Sequence, residues 1–461
     1  MLMALNRNTP ATVLAATMLA SLLFFSSAAG AQVLKPGLQP GLTRGPDSAR
    51  RISLAEAIRL AQLNSPLAIQ AEGTERTSRA AKVSAVGAIL PSVSLNAGHV
   101  VQFGGGQVRT NSNGEQVIIA SAPVNSTGLN LNMTLFDGGQ RLYDLRTAKS
   151  QIDAAEANRV AVKYNVALNV KQQYYAVLAA IESEDAARFQ MGQANEQFRT
   201  SIAKVRAGVA TRSDSLRGVI QVGNAQLALI TAQSNKEAAD ASLTRLVGSE
   251  VAITADPGSV QENMAALPDS AELAVLVKNG LAVVQVRAEL DVAEESRKAS
   301  KATYLPSLSA SYSRTGSGTD KRFGLGDDPF SYNGRLSFSL SYPIFNNFAR
   351  EEQVVRAKVS EINAQASLRD TQLGAQESLT QFIGALRGAS QRVAVQVASV
   401  AAAEEDVRVQ QQRYNIGASV LLDLITSQAA LAQAQQSLIQ ARYDYRIARA
   451  QLEALIGRDL Q

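Results

Sequence analysis

Leu135-Phe136-Asp137-Gly138-Gly139-Gln140-Arg141 ends an alternating segment and opens a helical one, and Ile344-Phe345-Asn346-Asn347-Phe348-Ala349-Arg350 does the same in the second half. The second stretch lies 209 positions after the first. Ala207-Gly208 and Ile416-Gly417, which interrupt long helical runs, keep that spacing; so do Leu246-Val247-Gly248 and Leu455-Ile456-Gly457, which end helices. One offset shared by three landmarks marks a duplicated structural unit. The repeated plan is strand, strand, very long helix, shorter helix. It describes a membrane-anchored tube rather than an enzyme.

Outward from those junctions, four segments alternate: 91–103, 124–136, 306–315 and 332–345. Leu129, Leu131, Met133 and Leu135 share one face of the second, with Asn130, Asn132 and Thr134 on the other. In the fourth, Leu336, Phe338, Leu340 and Tyr342 alternate with Ser337, Ser339 and Ser341. A period of two with small polar residues on one side describes a strand wet on one face and apolar on the other. Segments of roughly 10 residues bounded by turn residues match transmembrane β-strands. The connections at 104–123 and 316–331, rich in Gly, Ser, Asn and Asp, suit extracellular barrel loops. Two hairpins on a soluble domain are the plainer alternative. Four strands cannot close a barrel, and open edges are not tolerated in lipid. The chain must therefore oligomerise, and strand counting leaves two, three or four copies open.

The runs 139–207 and 348–416 hold no proline and repeat apolar residues at helical spacing. At about 1.5 Å per residue each spans roughly 100 Å. Ala, Gln, Leu and Val dominate, as in closely packed coiled coils. Segments 212–247 with 270–303, and 418–456 with 53–89, predict return helices placed end to end, with a mid-level belt where they meet. The expected organisation is a signal peptide at 1–31 and an extended tail at 32–51. A first repeat follows at 52–248, a mid-level (equatorial) linker at 249–269, and a second repeat at 270–461. The signal peptide rests on Arg7, the apolar run 11–25 and Ala29-Gly30-Ala31.

The chain has no cysteine, which excludes disulfides and thiol-borne lipid anchors. Its net charge of +5 is small, and its Lys and Arg are interspersed with acids, which argues against nucleic acid. The only histidine, His99, has no companion for metal ligation or nucleophile activation. Gly104-Gly105-Gly106 and Gly316-Ser317-Gly318 lack the context of a phosphate loop, and Asp327-Asp328 reads as a solvated loop pair. No catalytic, cofactor or metal site is expected.

Ile52-Ser53-Leu54-Ala55-Glu56-Ala57-Ile58, Leu90-Pro91-Ser92-Val93-Ser94, Leu305-Pro306-Ser307-Leu308-Ser309, Arg413-Tyr414-Asn415-Ile416-Gly417 and Leu422-Asp423-Leu424 resemble, in this order and duplication, the TolC-like outer-membrane efflux protein family. The resemblance covers essentially the whole mature chain. It implies an α+β membrane protein forming a homotrimer. Four strands per chain would build one 12-stranded β-barrel, continued by a long periplasmic α-helical barrel of coiled-coil hairpins. The implied role is an exit duct in the outer membrane, docked to a periplasmic adaptor and an inner-membrane transporter driven by protons or ATP. The alternative is a periplasmic coiled-coil adaptor of the same kind of system.

The resemblance also assigns roles at the tips. Gly208 and Gly417 mark the adaptor-docking turns. Tyr414, Asp214 and Ser213 match gate positions, with a Tyr414–Asp214 hydrogen bond expected, and Asp423 matches a constriction-ring aspartate. Ser419 stands where the family pattern has an arginine, and Thr426 where it has a second ring aspartate. In the plainer reading Asp214 is an N-cap and Asp423 a solvated helix residue.

Overall fold

The computed structural model describes residues 49–101, 103, 107–110, 113–119, 123–259, 270–318, 331–458 and 460, all in a unit running from Ala49 to Gln461. The expected signal peptide, most of the expected tail, the second half of the linker and the Asp327-Asp328 pair lie outside the described residues.

The chain starts with β1 (Arg50–Ile52), α1 (Leu54–Asn64), α2 (Pro66–Gly87) and β2 (Ser92–Val100). A small hairpin, β3 (Gln107–Thr110) and β4 (Gln116–Ile119), precedes β5 (Val124–Phe136). Then come α3 (Gln140–Arg206), α4 (Arg212–Val247), β6 (Ile253–Ala255), α5 (Ser270–Lys278) and α6 (Leu281–Lys301). The second half closes with β7 (Ser307–Gly318), β8 (Ser331–Ser341), α7 (Ala349–Asn415) and α8 (Leu421–Ile456).

The sheet is antiparallel in the order β2-β5-β7-β8. Register makes its two faces. Val93, Leu131, Tyr312 and Leu336 lie side by side, and in the next row so do Ser92, Asn132, Ser311 and Ser337. Leu336, Phe338 and Leu340 remain 63%, 66% and 71% exposed, so the apolar face has no cover within the chain. Among the described residues no helix packs across either face.

The strand-to-helix switch is made twice by the same backbone device. Gly138 and Gly139 have φ of 70° and 86°, and their counterparts Asn347 and Phe348 have 55° and 60°. A Cβ on Gly138 would approach the Ala302 carbonyl oxygen to 2.5 Å, so the first switch needs glycine twice over. A phenylalanine in the left-handed region costs about 1–2 kcal/mol. Packing offsets it: Phe348 meets Phe345 edge-on at 5.4 Å, and Arg350 donates to the carbonyls of Pro343 and Ile344. Arg141 has the matching place in the first switch, donating to Asp137 at 2.6 Å and to the Ala88 carbonyl.

Near the sheet the helices lie in the order α2-α3-α6-α7, and towards the far end in the order α4-α3-α8-α7. The helices α3 and α7 are 67 residues each, about 100 Å long. Two return segments expected as single helices are broken. Segment 53–89 parts at Ser65, which is extended (ψ 130°) because Pro66 removes an amide donor and disfavours helix in the residue before it. Segment 270–303 parts at Gly280, also extended (ψ 161°).

The mid-level belt holds the densest core. Within the expected tail and linker, β1 and β6 pair in parallel, a contact between segments 200 residues apart that no local pattern announces. Tyr174, fully buried on α3, closes this strap: its hydroxyl donates to the Ile52 carbonyl at 2.9 Å and accepts the Asp256 amide at 3.0 Å. Val166, Val170, Val177, Leu243 and Ile253 fill the space around it. A second cluster joins Leu273 and Val277 of α5 to Leu379 and Leu386 of α7 and Leu452 of α8.

Candidate functional site

The two tips farthest from the sheet are built alike. Gly208 (φ 72°) and Gly417 (φ 76°) each end a 67-residue helix in the left-handed conformation. The Gly208 and Val209 amides donate to the Val205 and Lys204 carbonyls, and the Gly417 and Ala418 amides to those of Tyr414 and Arg413. This Schellman pattern satisfies the orphan carbonyls of a helix end. A Cβ on either glycine would meet nothing within 4 Å, so backbone conformation alone demands glycine. Around these turns Val209, Ile416 and Val420 are 74%, 80% and 61% exposed, an apolar crown with no cover in the chain.

The next helix starts diverge. Asp214 and Asp423 occupy the same repeat position, the third residue of α4 and α8. The Asp214 carboxylate accepts the Thr211 amide at 3.0 Å and the Thr211 hydroxyl at 2.9 Å, forming a capping box. Thr211, not Asp214, is the N-cap. Opposite Asp423 the cap is Val420, which has no polar side chain. The Asp423 amide donates to the Val420 carbonyl, but its exposed carboxylate has no hydrogen bond or ion pair with a described residue. One aspartate is used in holding its own helix end; the other carries a free charge. Ser213 stands exposed beside the first, and the Thr426 hydroxyl is turned back onto the Leu422 carbonyl at 2.9 Å.

Tyr414 is 6% exposed and packs against Leu421, Leu424 and Ile425. Burial, and secondarily the Asp214 carboxylate, push its phenol above the ordinary tyrosine value. The hydrogen bond expected between them is nevertheless not made within the chain. The Asp214 carboxylate is turned to Thr211, and the Tyr414 phenolic oxygen has no partner among the described residues. The Gln410 Oε1 and Ser419 hydroxyl oxygens beside it in sequence are likewise buried without a partner.

The link between the two tips comes from Lys204, which sequence reasoning passed over. Its ammonium lies over the Tyr414 ring and reaches the Tyr414 main chain. A signal was present: Lys204 and Arg413 each precede a tip glycine by four residues, at the common repeat offset. His99 lies on β2 with Nδ1 2.6 Å from Asn125 Oδ1. No group of three metal-ligating side chains occurs among the described residues, and no described helix is long and apolar enough to cross a membrane.

Residues 57–249 and 275–458 match the family model described as outer membrane efflux protein. Outer membrane efflux protein BepC of Brucella suis is 24% identical over 342 residues, covering 72% of this chain and 72% of that protein. Outer membrane protein TolC of Vibrio cholerae is 20% identical over 416 residues, 88% of this chain and 90% of the relative. Among solved structures, the Campylobacter jejuni CmeC outer membrane channel superposes with a TM-score of 0.72 at 18% identity, covering 90% of each chain. The open state of the Neisseria gonorrhoeae MtrE outer membrane channel gives 0.72 at 18% identity, covering 89% of this chain and 90% of that one.

Proposed function

The chain belongs to the outer membrane efflux protein family and is an outer-membrane channel of tripartite efflux or type I secretion systems; from that premise we propose how it assembles and where it is gated. Three copies close one barrel of twelve strands, each β8 pairing with the β2 of its neighbour. The observation that carries this reading is the four-stranded sheet with both edges unpaired, one face apolar and exposed, the other polar. In lipid, unpaired strand edges cost several kcal/mol per polar group, so the edges must meet another copy. Adaptor identity for this chain, the alternative reading, does not survive the family match.

The helical tips form the periplasmic entrance. The Lys204–Tyr414 contact holds the two hairpins of one copy together. The buried oxygens of Tyr414, Gln410 and Ser419, which have no hydrogen-bond partner among the described residues, are suited to links made across copies, since buried polar groups are almost always hydrogen-bonded. Ser213 and Asp214 belong to this rim. Asp423, exposed and unpaired, supplies a ring of negative charge that attracts cations. The apolar crown around Gly208 and Gly417 receives the periplasmic adaptor, and docking spreads the tips. An inner-membrane transporter, proton-driven or ATP-driven, feeds the duct from behind.

Crosslinking in intact cells, followed by detergent extraction and mass spectrometry, tests this. The expected products are a three-copy species and conjugates of the tips with an adaptor. A monomer that leaves the membrane without detergent would overturn the assembly.

A further inference from the structure

We propose that Arg335 is a charge-selecting residue of the duct's outer part, making that stretch favour anionic solutes. The inference rests on the reading that the polar face of the sheet lines the lumen. Across the sheet Ser94, Asn130, Ser313 and Arg335 form one row on that face. The rows on either side are Ser92, Asn132, Ser311, Ser337 and Asn96, Gly128, Thr315, Asn333. Among the described residues of the four strands, Arg335 is the one charged side chain on this face.

The Arg335 side chain is exposed and has no hydrogen bond or ion pair with a described residue. Its neighbour Arg314, on the apolar face, shows what a structurally employed arginine looks like here. The Arg314 guanidinium stacks on the Tyr332 ring at 4.8 Å, near the end of the sheet where a barrel carries its aromatic girdle. An aromatic partner and an interfacial depth explain Arg314. Arg335 stands exposed among Ser311, Ser313, Thr315, Asn333 and Ser337.

Geometry makes its field felt. Twelve strands about 4.8 Å apart, tilted by roughly 40°, enclose a backbone cylinder about 24 Å across. An arginine reaching inward from that wall lies within a Debye length of the axis at 0.1 M salt, about 10 Å. Three such groups at one level raise the local anion concentration, and no lumen-facing carboxylate among the described strand residues offsets them.

The test uses the chain's freedom from cysteine. Arg335→Cys, purified as its detergent-stable oligomer, is placed in a planar bilayer under a dilute KCl gradient. Reversal potentials are read before and after methanethiosulfonate reagents of either charge. Relative to wild type, the chloride-to-potassium permeability ratio is expected to fall at least twofold in Arg335→Cys. It should recover with the cationic reagent, fall further with the anionic one, and lose its dependence on residue 335 in 1 M KCl. Ratios indifferent to the charge at 335 in dilute salt would overturn the proposal while leaving the duct intact. A wild-type protein that conducts nothing would overturn the duct reading and this proposal together.

Discussion

The Lys204 ammonium sits 3.7 Å from the centroid of the Tyr414 ring and donates to the Tyr414 backbone carbonyl at 2.9 Å, so one side chain of the first helical tip grips the second. A cation over a tyrosine face is worth about 0.5–2 kcal/mol, more as water is excluded, and Tyr414 is nearly buried. The carbonyl it reaches also accepts the Gly417 amide, so the Lys204 contact is built into the capping turn itself.

Lys204→Met removes both contacts while keeping the apolar stem. Single-channel conductance in a planar bilayer is expected to rise severalfold. Tyr414→Phe, which deletes the phenolic oxygen offered for links between copies and keeps the ring beneath Lys204, is expected to raise conductance by a smaller factor, with Asp214→Ala adding a modest increase. A Phe variant that opens the channel as far as the Met variant would move the latch to a bond between copies.

The repeat-related aspartates should separate by readout. Asp423→Asn is expected to lower the potassium-to-chloride permeability ratio with little effect on melting temperature. Asp214→Asn loses the charge of the capping box, a change of about 1 kcal/mol in helix stability, and is expected to lower the melting temperature with a smaller change in selectivity. Swapped outcomes would reverse their roles.

Glu453 is a knot at the mid-level belt. Its carboxylate takes Lys171 Nζ at 2.7 Å, Arg449 Nε at 3.2 Å and the Leu460 amide at 3.3 Å, joining α3, α8 and the chain's last described residue. The side chain is 11% exposed. Glu453→Gln takes the shared charge from Lys171 and Arg449, a loss of about 1–3 kcal/mol per copy. Thermal unfolding in detergent should show a clear drop, and an unchanged melt would mean the network contributes nothing net.

Acid should loosen the contact between α2 and α3. Glu75 on α2 is held below the ordinary carboxylate range by Arg79 first and by Arg159 of α3 second. A lowered folded-state pKa gives stability that is complete above the ordinary glutamate value and is lost as the pH falls through the lowered one. The wild-type melting temperature is expected to fall between pH 6 and pH 3 by more than that of Glu75→Gln, whose own melt at pH 6 lies below wild type. Parallel pH profiles would remove the claim.

Much of the architecture was legible because its signals are local. Leu336, Phe338 and Leu340 against Ser337 and Ser339 announce a two-faced strand with no knowledge of its neighbours. The glycines at 208, 417, 248 and 457 announce helix ends because only glycine takes the left-handed conformation freely. Ser65-Pro66 is an equally local signal, and it divides the run 53–89 into α1 and α2.

The duplication, the four half-wet strands, the two long helices and the turn at each tip are therefore written into the chain locally. Each follows from a period, an offset or a backbone restriction carried by adjacent residues. Only the assembled fold shows that β1 meets β6, that Tyr174 seals them, and that Lys204 bridges to Tyr414. These depend on which residues meet across helices and across some 80 to 210 positions of chain. Identical residue types at matching repeat positions then take opposite roles, because a single neighbour, threonine at 211 or valine at 420, determines whether the carboxylate has a partner.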